Sequence, residues 1–257
     1  MVALADTTED RLLGGRVIIF QPKGGYRAAI DPVLLAAAIP ANPTDRVLDA
    51  GSGTGAASLA LAARVAGCQV TGLEAQAGLV ALADGSAKAS GLSGRVSFLV
   101  GDLLAPPGGL KPGGFDHVMA NPPYLPAGHG NPPPDPAKRA ATVEDGAALD
   151  DWLGFLSVMV ADGGTITLVH RFDRADEVVA GLRKTAGDVV VFPLWQKQQN
   201  GEAKRVIVQA RQANKGGAKG GIREARTAPG LVLHQPDGAF TPQAEAILRD
   251  AGALDLS

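Results

Sequence analysis

The chain has 257 residues, 46% of them hydrophobic, one cysteine and a net charge of −2. That is enough for one sizeable core; it rules out an internal disulfide, and the charge argues against a general polyanion binder. No run of about 18 apolar residues occurs, so no membrane span is expected, and the acidic start MVALADTTEDRLL has no signal-peptide pattern. A soluble cytoplasmic protein is expected. The four histidines and Cys68 show no zinc spacing, so no metal is expected. Cys68, inside GCQVTGL, reads as an inert core thiol.

Short β-branched runs alternate along the chain with Ala/Leu-rich helical stretches. Before the first strand stands RAAIDPVLLAAAIP, where Asp31 reads as an N-cap and Pro32 as the first helical residue. Strands are expected at 46–50, 69–73, 95–100, 116–120, 165–169, 188–192 and 205–210. Helices are expected over Ala56–Ala66, Ala77–Ser90 and Leu149–Val160. The pattern predicts an α/β fold: a Rossmann-like, doubly wound, seven-stranded sheet. Between 192 and 205 there is no room for a crossover helix, so the last two strands should form an antiparallel hairpin. Near the end, Thr241 and Pro242 repeat the cap-then-proline start for a final helix.

The first predicted strand runs into VLDAGSGTGAASLALAARV. Gly51, Gly53 and Gly55, with Ser52 between them, allow a tight turn that brings backbone amides close to a ligand. By itself this loop suits either NAD or S-adenosylmethionine. Three acids tilt the choice to the latter. Asp49 precedes the loop and can meet a cationic amino-acid moiety. Glu74, followed by Ala75, ends the second strand, where an acid accepts from two ribose hydroxyls. Asp102, followed by Leu103, ends the third. All three face the carboxyl edge of the sheet, where open α/β folds bind ligands. An NAD-dependent oxidoreductase remains the rival from another class, but no His or Tyr-x-x-x-Lys proton donor follows the strands.

After the fourth strand comes Asn121-Pro122-Pro123-Tyr124. The prolines remove backbone donors and stiffen the exit. An exocyclic amino nitrogen on adenine or an amide is planar and a poor nucleophile. The Asn121 side-chain oxygen and the Pro122 carbonyl can each accept one of its N–H groups, which favours the pyramidal form. Tyr124 and Pro123 offer surface for a flipped-out base.

This motif, placed after the glycine loop, resembles the class I S-adenosylmethionine-dependent amino-methyltransferases. Over nearly the whole chain the sequence is similar to the family of tRNA(Val) adenine-N6 methyltransferases. Further residues that carry the likeness are Gln21, Gly25-Tyr26-Arg27 and the Asp31-Pro32-Val33-Leu34-Leu35 helix start. The resemblance implies N6-methylation of adenine in tRNA near the anticodon, with S-adenosylmethionine as cofactor. It also implies roles for Gln21, Tyr26 and Arg27 in the cofactor or substrate pocket. Glutamine methylation of a release factor and guanine-N2 methylation of ribosomal RNA share the motif and stay open. A catalytically silent RNA-binding relative is disfavoured by the intact acids and motif.

From Lys197 to Arg226 eight basic residues face two acids, a local charge of +6. Lys204, Arg205, Lys215 and Lys219 are therefore candidate RNA contacts. The expected organisation is one methyltransferase domain: a covering segment over 1–44, a catalytic core over 45–212, and a basic loop with the last helix over 213–257. It is expected to act as a monomer or weak dimer.

Overall fold

The computed structural model describes residues 7–24, 27–124, 146–213 and 225–257. Tyr26, Lys215, Lys219, the basic loop 215–221 and the proline-rich run 127–138 lie outside them.

Seven strands form the body of the sheet, as expected. They are β3 (Arg46–Ala50), β4 (Gln69–Glu74), β5 (Val96–Val100), β6 (Phe115–Ala120), β7 (Val160–Arg171), β8 (Ala186–Trp195) and β9 (Ala203–Gln212), and their spatial order is β5-β4-β3-β6-β7-β9-β8. β3 to β7 pair in parallel. β9 runs antiparallel to both β7 and β8, because the few residues between β8 and β9 allow only a tight return. Two two-residue strands, β10 (Arg226–Thr227) and β11 (Leu231–Val232), add in parallel to β8.

Helices α2 (Ala56–Arg64), α3 (Ala77–Ala89), α4 (Leu149–Met159) and α5 (Ala175–Leu182) follow β3, β4, β6 and β7. Two apolar clusters cover the two faces of the sheet. One includes Leu59, Leu61 and Val47; the other includes Leu48, Leu156 and Ile166, all fully buried. Burying each such side chain contributes about 1.5–3 kcal/mol. Among the described residues, no helix is long and apolar enough to cross a membrane, and no cluster of three or more His, Cys, Asp or Glu side chains could hold a metal ion.

The N-terminal segment holds a hairpin that its short pattern did not announce. β1 (Thr7–Leu12) and β2 (Val17–Pro22) pair antiparallel. Val17 and Ile19 of β2 are fully buried. The backbone amides of Ile18 and Phe20 donate to the hydroxyls of Ser90 and Ser86, each at 2.9 Å, which fastens the hairpin to α3. Helix α1 (Asp31–Ala37) begins where Pro32 suggested, but its N-cap is Ile30 and no side chain caps it. Asp31 is drawn instead into a long-range ion pair, described below. In α6 (Pro242–Leu248) the expected cap does form: Thr241 Oγ1 accepts from the Ala244 amide at 3.2 Å.

Candidate active site

Register places the ligand edge. Ala50 of β3 pairs with Leu73 of β4 and with Ala120 of β6, and Glu74 pairs with Val100 of β5. The four following loops therefore leave the sheet at one level. They enclose a cavity of about 390 Å³, within the ~300–1,000 Å³ usual for small-molecule sites.

The glycine loop is fixed by the neighbouring strand. The amides of Gly51 and Ser52 donate to the Leu73 carbonyl at 2.8 and 3.0 Å. Glu74 accepts the Gly53 N–H at Oε2, 3.0 Å, and the Gln76 N–H at Oε1, 2.9 Å. A side chain at Gly51 would collide with the Trp152 ring, 2.5 Å from its Cβ position; Trp152 of α4 walls the cavity there. At Gly53 a Cβ would meet nothing within 4 Å. Gly55 does not line the cavity, contrary to expectation. It holds the left-handed N-cap position of α2, and a Cβ there would lie 2.6 Å from the Phe98 ring.

Asp49, Ser52, Glu74, Ala75, Asp102 and Leu103 all line this cavity. Asp49 is 2% exposed. Burial pushes its carboxyl up to about 7, against a 2.6 Å hydrogen bond from the Ser58 hydroxyl that favours the ionised form. Only the ionised carboxylate attracts a cation. Cofactor affinity is therefore expected to be flat above pH ~7 and to fall towards tenfold per pH unit below it. Titration calorimetry across pH 5.5–8.5 checks this. D49N should bind more weakly and lose the slope; a slope that persists in D49N would assign the effect elsewhere.

Asn121, Pro122, Pro123 and Tyr124 line the same cavity, beyond the end of β6. The Tyr124 hydroxyl reaches two acceptors, Asn121 Oδ1 and, at 3.1 Å, Asp31 Oδ2. Arg205 Nε donates to that same Asp31 oxygen at 3.0 Å. The Arg205 guanidinium lies over the Tyr124 ring, 4.4 Å from its centroid. His170 meets the ring edge-on at 5.4 Å. Its burial, with the Arg174 charge, pushes it down to about 4, so it is neutral near pH 7. Arg174 Nη1 donates to the Tyr124 carbonyl at 3.2 Å.

Several expected contacts are not made at the cavity. Gln21 and Arg27 do not line it. Gln21 donates to Asp10 Oδ2 and accepts from the Ala28 amide, both within 2.9 Å, while Arg27 pairs with Asp10 and donates to Thr8 Oγ1 at 2.7 Å. Arg27 Nη1 also donates to the Pro22 carbonyl at 3.4 Å, so the two side chains help to hold Pro22 and Ala28, which do line the cavity. Lys204 is exposed and pairs with Glu202 at 3.6 Å, away from the cavity wall. Arg205 is spent on Asp31 and Tyr124, so one face of the ring expected to carry a base is covered. Sequence reasoning missed Trp152, whose signal was only that of a helical apolar face. It also read Asp31 as a cap alone.

The acids suit one cofactor class better than the other. Asp49, Glu74 and Asp102 ring a cavity whose loop amide at Gly53 is already taken by Glu74. A pyrophosphate would meet repulsion there, whereas a sulfonium and an ammonium would be attracted.

Residues 47–130 match the family model of the methyltransferase domain. The tRNA1(Val) (adenine(37)-N6)-methyltransferase of Aeromonas hydrophila is 27% identical over 216 residues, 84% of this chain and 85% of that one. A release factor glutamine methyltransferase of Chlorobaculum tepidum is 30% identical over 178 residues; the match spans 65% of this chain and 60% of that protein. Among solved structures, a predicted O-methyltransferase of Agrobacterium tumefaciens, Atu636, superposes with a TM-score of 0.70 at 23% identity, covering 87% of this chain and 98% of that one. A geranyl diphosphate C-methyltransferase from Streptomyces coelicolor, solved with S-adenosyl-L-homocysteine, gives 0.51 at 13% identity over 71% and 78%. Residues 47–130 thus match a methyltransferase domain, and the chain has the fold of methyltransferases, one of them solved with S-adenosyl-L-homocysteine.

Proposed function

We propose that the protein methylates the exocyclic N6 of an adenine in RNA, a tRNA near its anticodon foremost. The observation that carries this reading is the asparagine-proline-proline-tyrosine turn opening onto the acid-ringed cavity. It is supported by a tRNA adenine-N6 relative matched along 85% of its length.

In this reading S-adenosylmethionine supplies a methyl group already activated on a sulfonium. Asp49 would attract its ammonium, Glu74 would accept from its ribose hydroxyls, and Asp102 and Leu103 would border its adenine. Asn121 Oδ1 and the Pro122 carbonyl accept the two N–H groups of the target amine and turn its lone pair toward the methyl. The transfer such a cofactor would supply forms an N–C bond at the expense of its S–C bond and leaves one proton from the nitrogen to solvent. Alignment is the main demand, and ~7–11 kcal/mol of barrier can come from it in favourable cases. Splayed anticodon-loop bases are the form of RNA such a pocket can admit. The net positive charge of window 197–226, beyond the cations already paired, would add attraction to phosphates.

The test is incubation with labelled S-adenosylmethionine and total RNA from a strain lacking the protein, followed by nucleoside digestion and mass spectrometry. The expected product is N6-methyladenosine. N2-methylguanosine, or no methylated nucleoside, would overturn the assignment. The second reading, methylation of a release-factor glutamine, is favoured by the 30% identity to the Chlorobaculum tepidum enzyme. It predicts label in the protein fraction instead.

A further inference from the structure

The Tyr124 hydroxyl has one proton and two acceptors in reach: Asn121 Oδ1, and Asp31 Oδ2 at 3.1 Å. Asn121 Oδ1 is also the atom that must receive an N–H of the target amine. A phenol proton aimed at that oxygen weakens it as an acceptor and crowds the approach. With that proton drawn away, both lone pairs of the oxygen are open to the amine and it accepts more strongly.

Asp31 is built for that. It opens α1 yet caps nothing there. Its side chain is only 14% exposed and is held by Arg205 Nε at 3.0 Å. Arg205 is gripped in turn. Its guanidinium lies over the Tyr124 ring at 4.4 Å, and its β9 backbone pairs with Arg171 of β7. Tyr124 is positioned on two further sides, by Arg174 on its carbonyl and by His170 at its ring edge. The ring therefore keeps its place while the hydroxyl proton turns. A carboxylate is the stronger acceptor of the two, since hydrogen bonds to an ionised group are roughly twice as strong as neutral ones. The Asp31 carboxylate and the Asn121 amide oxygen are both within reach of a single O–H, so rotation about one C–O bond selects between them.

We propose that Asp31 is a positioning residue of the methyl transfer: it takes over the Tyr124 hydroxyl proton and leaves Asn121 Oδ1 free to grip the substrate amine. The proposal rests on the amine-methylating reading above, but not on the identity of the amine. Arg205 keeps the carboxylate in place and needs its planar fork to do so, because it bonds Asp31 and covers the ring at once.

The test is a double-mutant cycle on single-turnover rate with saturating S-adenosylmethionine, using D31N, Y124F and the double variant. The acceptor is a cell extract from a strain lacking the protein, separated afterwards into RNA and protein. D31N should slow transfer about tenfold while Y124 is present, and less than about twofold in the Y124F background, where no hydroxyl proton competes. D31E should recover part of the loss, and cofactor affinity by calorimetry should match wild type throughout. Independent, multiplying effects would overturn the proposal. So would an unchanged rate in D31N, or a D31N that no longer binds cofactor, because Asp31 would then support the fold rather than the acceptor. Label in protein rather than RNA overturns the adenine assignment and leaves the cycle to be read on that amide. Label in neither fraction overturns both.

Discussion

Asn121→Ala is expected to reduce methyl transfer by ~10²–10³-fold, the usual cost of removing one preorganised polar group from a reacting centre. Cofactor affinity should stay within about threefold of wild type. The two expectations separate because the contacts separate. Asn121 leaves the end of β6, whereas the glycine loop and Glu74 are braced by β3 and β4 through the Leu73 carbonyl and the Gly53 and Gln76 amides. None of those bonds passes through Asn121. N121D still presents an acceptor and should retain more activity than N121A. Single-turnover rates with saturating cofactor, set beside calorimetric affinities, measure both quantities. An N121A enzyme within a few-fold of wild type would remove the amide oxygen from the chemistry and leave the Pro122 carbonyl as the principal acceptor.

Strands β3 to β9 were legible because each is a compact β-branched run bounded by turn residues, and the hairpin because too few residues separate β8 from β9. The glycine loop and the asparagine-proline-proline-tyrosine turn were legible for the same reason: the residues that act are adjacent in the chain. What was not legible depends on partners far apart in sequence. Asp31 carries a strong local signal for capping, yet a cation 174 residues away takes its carboxylate. Gln21 and Arg27 look like pocket residues when the partners in β1 are unknown. Arg205 looks like a phosphate contact until Asp31 and Tyr124 are brought beside it. A local pattern reports what a residue can do, and tertiary contacts decide which of those options survives.

Glu74→Ala should act on the opposite half of the site and leave the chemical step intact. In the folded chain both carboxylate oxygens already accept backbone amides, yet Glu74 still borders the cavity. An oxygen has lone pairs for more than one donor, so ribose hydroxyls can share the same group. Losing a hydrogen bond to a charged partner costs ~1.5–3 kcal/mol, so cofactor affinity should fall about 10–100-fold. The stranded Gly53 and Gln76 amides add a stability loss of ~1–3 kcal/mol, less where water reaches them. E74Q keeps one acceptor and should fall between wild type and alanine on both measures. At saturating cofactor the single-turnover rate should return to near the wild-type value, the reverse of the N121A pattern. Calorimetry, thermal melts and rates at raised cofactor concentration distinguish these outcomes. If E74A binds as tightly as wild type, the carboxylate serves only to hold the loop, and the ribose must be recognised by the main chain around Ala75 and Gln76.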